Sequence, residues 1–416
     1  AAWVTPPVDA RAPGSLAIRW TVANVGDVTG DLDDRVSVRL GPLAPGGDAF
    51  DAPILESYEV TRSLLTQPTT FSARFGWGDV ARDLLDVLPP RLPFQLVVNG
   101  AVQMTGTLDG YEASDGGGAT EITIRGRDVM APLHDAFIRA ELSLQDITYA
   151  QLAEKALDAT VGAHTLFYTN EDNRKLTTGI GVRQTGAPQT DPTQSSKGPT
   201  AKQLKAHIGD RWYEYLKRQL DRAGLFLWAG GLGEFILSEP NAAQAPAYQI
   251  VRRRGQERNA VNVIRASYRN DTVQRYSECI VHGRGGGRKF GRSKIAGSYT
   301  DQEMVAWGFD RPLVARDVQV TNEEQAAFYA RRKLAEARRA GWSLTYLVAG
   351  HTVPSLLGGE RAVWAPDTVV AVDDGEYGIQ GNYYIERVVF RRGPETTTEL
   401  TLQRPEDLVF AIVEGE

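Results

Sequence analysis

Histidine, cysteine and clustered carboxylates are the residue types that most often carry catalysis or hold a metal, and this chain spaces them widely. Its five histidines are His134, His164, His207, His282 and His351, and its one cysteine is Cys279. No two histidines stand in an H-E-x-x-H spacing, which would place both rings on one helix face, and none pairs with Cys279 in sequence. Cys279 sits in the apolar run Cys-Ile-Val, where a thiol is a small buried hydrophobe and not a nucleophile. Neither a G-x-S-x-G elbow nor a G-x-x-x-x-G-K-[ST] phosphate loop occurs. The run Gly283-Arg-Gly-Gly-Gly-Arg-Lys-Phe-Gly-Arg292 is rich in glycine but lacks the G-x-G-x-x-G spacing of a dinucleotide turn. Asp31, Asp33 and Asp34 cluster near the N-terminus, where adjacent carboxylates are usually solvated. The expectation is a protein without catalytic residues, metal or cofactor.

Charge is less evenly spread than the motifs. The whole chain carries −6, but the stretch 251–294 holds 12 Lys or Arg against 3 Asp or Glu, a local +9 that leaves −15 elsewhere. Arg252, Arg253, Arg254, Arg284, Arg288, Lys289, Arg292 and Lys294 are therefore the candidate partner-facing residues. Such a set, with glycines between its members, can follow a phosphate backbone without reading bases. The alternatives are a solvated loop or a salt-bridge partner for the acidic remainder.

The elements that would position these residues are mostly strands. A chain of 416 residues, 42% hydrophobic and 24% charged, has the composition of a soluble protein of two to four domains. One cysteine excludes an internal disulfide framework. The N-terminal AAWVTPPVDARAPG lacks the form of a signal peptide. Leu225–Leu237, the most apolar stretch, is broken by glycines and falls short of the ~20 residues of a membrane span. The expected molecule is soluble, made in a reducing cytoplasm and not membrane-inserted.

Residues 1–50, punctuated by five prolines, form an expected N-terminal arm with edge strands at Leu16–Val25 and Val36–Leu40. Residues 51–135 alternate apolar and polar residues around the Asn99-Gly100 turn, the pattern of a β-barrel or sandwich. Residues 136–250 form a mixed α/β middle domain. One helix, capped by Asp146, runs to about Val161; a second, capped by Asp210, stops at Gly224; a mobile loop spans 177–203. Residues 251–416 return to strands around a long helix opened by a Thr321–Glu324 capping box, with a basic glycine-rich insertion at about 282–320.

The most informative feature is an internal repeat. Thr120-Glu-Ile-Thr-Ile124 leads into a polar turn with Asp128, and Thr398-Glu-Leu-Thr-Leu402 leads into one with Asp407. Upstream of each lie a strand, a turn with Gly100 or Gly375, and another strand. Chance likeness of short alternating strands is the alternative. If the repeat is real, three chains present six similar units, which lets a three-fold object meet a six-fold one.

Together, these segments resemble the baseplate hub proteins of contractile-tailed phages of the Mu-like and T4-like kind, a family related to the hubs of phage-like injection systems. The likeness spans about residues 50–416. It rests on Ser57-Tyr-Glu-Val-Thr-Arg-Ser63, Ile124-Arg-Gly-Arg-Asp128, the segment Trp212 to Trp228 with its Ala-Gly-Leu-Phe junction, and Arg404-Pro-Glu-Asp-Leu408. The resemblance implies a mainly β fold with an α+β insert: two tube-like barrels, at 51–135 and 251–416, flank the middle domain. It also implies a virion protein of the tail baseplate, assembled in the host cytoplasm. Such a hub is a homotrimer whose pseudo-six-fold ring seats the hexameric tail tube on one face and the trimeric central spike on the other. Wedge proteins surround it, and DNA passes through its channel. The basic loop would then face DNA or a neighbouring baseplate protein. A tail-associated, cell-wall-degrading protein is the alternative function.

Overall fold

The computed structural model describes residues 18–19, 36–40, 55–65, 67–76, 91–116, 119–144, 147–168, 182–183, 204–253, 263–283, 295–317, 320, 322–357, 361–408 and 412–413. The fold is mainly β. Its first part contains β1 (Ile18–Arg19), β2 (Val36–Leu40), β3 (Leu55–Ser63), β4 (Thr70–Gly76), β5 (Pro93–Val98), β6 (Ala101–Gly116) and β7 (Ala119–Asp128). Alternation decides which side faces inward: Tyr58 and Val60 are buried while Glu59 is exposed, and Ile122 and Ile124 point into the same core. Asn99 and Gly100 both have positive φ and join β5 to β6 in the tight turn their sequence calls for.

The middle part contains α1 (Ala131–Asp135), β8 (Leu142–Leu144), α2 (Tyr149–Thr160), β9 (Leu166–Tyr168), β10 (Val182–Arg183), β11 (Leu204–Ala206), α3 (Trp212–Ala223), β12 (Phe226–Ala229) and β13 (Phe235–Ser238). It has its own core, in which Leu152, Ala156 and Leu157 of α2 meet Tyr215, Leu216 and Leu220 of α3 and Phe235 and Leu237 of β13. The helix ends differ from expectation. Thr148, with Gln151, caps α2 in place of Asp146, because its hydroxyl accepts the Gln151 amide and the Gln151 side chain answers the Thr148 amide. Arg211 precedes α3 without a side-chain cap, while Asp210 accepts from the His207 amide instead. Gly224, at φ 71°, closes α3 as expected.

The last part contains β14 (Tyr248–Arg252), β15 (Val263–Asn270), β16 (Glu278–His282), β17 (Ala296–Thr300), α4 (Gln302–Ala306), β18 (Pro312–Arg316), α5 (Glu323–Gly341), β19 (Trp342–Ala349), β20 (Thr352–Pro354), β21 (Arg361–Val363), β22 (Thr368–Asp374), β23 (Ile379–Arg392), β24 (Thr396–Gln403) and β25 (Ile412–Val413). Asn322, whose side chain accepts the Gln325 amide, caps α5; Thr321 lies outside the described residues. Strands β16, β17 and β18 form a small sheet under α5, with Cys279, Val281, Phe328 and Leu334 between them.

A 13-stranded sheet unites the first and last parts, in the order β1-β2-β5-β6-β7-β4-β3-β23-β24-β19-β15, with β22 on β23 and β14 on β22. Two matching runs are contained in that order. The first is β3-β4-β7-β6-β5 and the second is β15-β19-β24-β23-β22, each in the same chain sequence and spatial sequence. The two Thr-Glu-x-Thr-x segments occupy the same position, β7 and β24. Aligning the halves there equates Ile122 with Leu400; following the ladders outward equates Ala73 with Leu344 and Ser57-Tyr58 with Ser267-Tyr268. The internal duplication is thus present strand for strand. A single hydrophobic core runs through both halves, from Val38 and Leu40 to Leu400 and Leu402.

Two boundaries fall differently from the sequence expectation. Within the expected arm, β2 pairs antiparallel with β5 and buries Val38 and Leu40 in the core of its own chain. In the second half, residues 271–341 fill the connection between β15 and β19 that residues 64–69 make between β3 and β4. The Asp271 amide donates to the Gly341 carbonyl at 2.8 Å, so this insert leaves and re-enters the sheet at one point.

Candidate functional site

The place where the two repeats meet is β3 against β23. The antiparallel ladder runs from Arg387 opposite Ser63 to Arg392 opposite Tyr58. Val60, Val388, Val389 and Phe390 are fully buried there. On the outer face, Arg391 donates to Glu59 at 2.9 Å and to Glu399 at 2.7 Å, tying three strands together. On the inner face, His351 Nε2 lies 2.6 Å from the Tyr58 hydroxyl, and its Nδ1 lies 2.9 Å from Thr398 Oγ1. Thr398 donates its own hydrogen to the Gly350 carbonyl at 2.6 Å, so the histidine proton sits on Nδ1 and Tyr58 donates to Nε2. This histidine is therefore a buried pin across the joint, and its role depends on residues 293 and 47 positions away that sequence spacing does not connect.

Asp374, fully buried at the end of β22, gathers a second network. Its Oδ2 accepts from the Tyr346 hydroxyl at 2.8 Å and from the Arg252 guanidinium at 3.3 Å; its Oδ1 accepts the Glu376 and Tyr377 amides. Burial and the neighbouring carboxylate push the Tyr346 hydroxyl well above its ordinary range, so it stays a donor. Arg252 also lies over the Tyr377 ring. Its neighbour Arg253 pairs with Asp373 at 3.2 Å. These two of the eight candidate basic residues are thus held by consecutive aspartates across the parallel β14–β22 ladder. Arg254, Arg284, Arg288, Lys289, Arg292 and Lys294 lie outside the described residues. On either side of residues 284–294, the Gly283 amide donates to the Ile295 carbonyl at 3.0 Å.

Chemistry beyond these contacts is sparse. Among the described residues, no group of three or more His, Cys, Asp and Glu could hold a metal ion, and no helix is long and apolar enough to cross a membrane. Cys279 is buried, and desolvation pushes its thiol up to about 11. His134 stacks on Tyr213 with ring centroids 3.5 Å apart, and burial lowers it to about 4.

Solved structures share this arrangement. The tail protein from Neisseria meningitidis MC58 matches with a TM-score of 0.67 at 22% identity, over 90% of this chain and 97% of its own. This chain thus has the fold of that tail protein. The 43 kDa tail protein of prophage MuSo2 from Shewanella oneidensis also matches at a TM-score of 0.67, with 18% identity, over 90% of this chain and 99% of its own. A chain of the lidded Francisella PdpA-VgrG complex matches at 0.50 with 9% identity, over 97% of this chain and 53% of its own. No family model and no curated protein sequence matches the chain. In this fold, the joint between the two repeats of the sheet is the candidate site.

Proposed function

We propose that the chain is the structural baseplate hub of a contractile phage tail. In this reading it is a virion protein that works without catalysis. Three copies form a collar whose six related sheet units seat the hexameric tail tube, while its three-fold face receives the trimeric central spike and wedge proteins pack around it. DNA passes through the central channel. The observation that carries this reading is the strand-for-strand duplication within one chain, because an adaptor between three-fold and six-fold partners needs two equivalent units per subunit. The tail-protein fold supports the same setting.

The test is the mass of the purified protein in solution, followed by particle imaging. A trimeric ring with an open centre supports the hub; a protein that stays monomeric after its spike is added overturns it, and wall hydrolysis would then be assayed. The basic loop is assigned to the DNA channel or to a neighbouring baseplate protein. Unchanged DNA ejection after Arg284, Arg288 and Lys289 are made neutral would remove the channel version.

A further inference from the structure

Between β17 and β18, the insert at 271–341 carries a turn whose side chains face the wrong way for its own core. Val305-Ala-Trp-Gly-Phe309 is a run of five non-polar residues, and all of them are exposed, Val305 at 47%, Trp307 at 46% and Phe309 at 42%. The turn is closed by its own backbone: the Gly308 amide donates to the Val305 carbonyl at 2.9 Å and the Phe309 amide to the Met304 carbonyl at 3.0 Å. Beneath it, Met304 is fully buried, and the buried Asp301 side chain accepts the Glu303 and Met304 amides. Arg275, also buried, donates to Asp301 at 3.0 Å and to Glu303 at 2.7 Å, and its guanidinium lies 5.2 Å from the centre of the Trp307 ring. At the far end of the turn, Arg311 donates to the Thr272 and Val273 carbonyls, which brings Val273, 71% exposed, to the same end of the insert.

A rigid, exposed apolar run is unfavourable in water and does nothing for the packing of its own chain, so it belongs to a contact. An aromatic anchor that is already held in place loses little freedom on docking and is the kind of residue that dominates interface energies. Charge narrows the partner. Around the turn, Arg275, Arg311 and Arg404 are balanced by Asp301, Glu303 and Asp310, so the seat that fits is apolar and without net charge. Number narrows it further. The strand order occurs twice in the chain, but the insert stands only between β15 and β19, not between β3 and β4. A trimer presents six sheet units and three such turns, so a six-fold partner cannot meet every unit through this turn, whereas a three-fold partner can. Two cavities of the chain itself do not suit an indole. The groove of about 510 Å³ at the repeat joint is walled by Arg74, Arg391, Arg392, Glu59 and Glu395, and the apolar pocket between α3 and β12 has about 10 Å³ of room.

We infer that the Val305–Phe309 turn of each chain seats Trp307 and Phe309 in an apolar socket of the trimeric central spike, three turns to one spike. The inference rests on the hub reading above and adds to it the surface that holds the spike. Because the contact draws its strength from apolar burial and its own charges balance, added salt leaves it intact, where it would weaken a contact made by charge.

The test mixes the full chain with its purified spike protein and compares the wild type with a Trp307→Ser, Phe309→Ser double variant. A second arm places a photo-cross-linking benzoylphenylalanine at position 309 of an otherwise unchanged chain. The double variant is expected to keep the mass of the wild-type trimer and to bind the spike about thirtyfold more weakly. Wild-type affinity should be the same at low and high salt, and illumination should join position 309 to the spike chain. Equal binding by the double variant, or a cross-link to a second copy or to the tube protein, overturns the inference and leaves the hub reading standing. A double variant that folds but no longer forms the trimer assigns the turn to a contact between copies and overturns it too. A wild-type chain that stays monomeric with the spike present overturns both.

Discussion

Phe390 stands at the centre of the joint between the repeats, and Phe390→Ala measures how far the two halves are one structure. Its side chain is fully buried, opposite Val60 in the β3–β23 ladder and 4.8 Å from the His351 ring, centroid to centroid. Truncation of a buried phenylalanine costs about 3–5 kcal/mol, more where the surroundings cannot collapse. Here the cavity would be walled by paired strands on both sides and by a histidine held through both ring nitrogens. The upper part of that range, about 4–5 kcal/mol, is expected. Urea unfolding gives the total, and hydrogen exchange read peptide by peptide gives its distribution. Because one core runs through both halves, amides in β5 and β6 should lose protection together with those in β23 and β24. A loss below about 1 kcal/mol, or faster exchange confined to the second half, would refute the argument that the joint fuses the repeats.

Two further outcomes follow from buried titrating groups. His134 has its pKa lowered from 6.5 to about 4, chiefly by burial, so the folded chain binds that proton less readily than the unfolded chain. Its stability contribution is full above pH 6.5 and declines as the pH falls toward 4. Allowing for partial solvent screening, unfolding at pH 4.5 should be easier than at pH 7.5 by about 1–2 kcal/mol more in the wild type than in His134→Phe; equal pH slopes in the two would contradict it. Cys279, buried and with its thiol pushed up to about 11, should resist a thiol reagent at pH 8 in native protein and react fully in denaturant. Rapid native labelling would contradict its place in the core of the insert.

What could be seen in the sequence was local and periodic. The Thr-Glu-x-Thr-x segments declare themselves because a strand buried on one face repeats every second residue, and the turns that flank them are built from glycine and asparagine. The equivalence of Ser57-Tyr58 with Ser267-Tyr268 is hidden because 71 residues of insert separate β15 from β19, so the dipeptide alone signals nothing; hydrogen-bond register reveals it. The caps of α2 and α5 differ from expectation by one or two residues because neighbouring side chains are chemically able to accept the same amides and packing selects among them, whereas α3 begins at Arg211 with no side-chain cap. Prolines made 1–50 look like an arm, yet Val38 and Leu40 belong to the main core. Net charge placed Arg252 and Arg253 in a basic surface. Their aspartate partners lie about 120 positions away on a parallel neighbour, a distance that composition cannot bridge.

The insert at 271–341 enters and leaves through one hydrogen-bonded point, where any side chain at position 341 would collide with the Asp271 carbonyl. Away from that point the insert is tied to the rest of the chain by Arg338 with Asp407 at 2.8 Å and by Arg332, which donates to the Asp221 carbonyl. It carries its own core and a buried ion pair of Arg275 with Asp301, joined by the half-buried Glu303. One repeat wears this appendage and the other is bare. The two halves therefore differ at this connection while the strand order they share is the same.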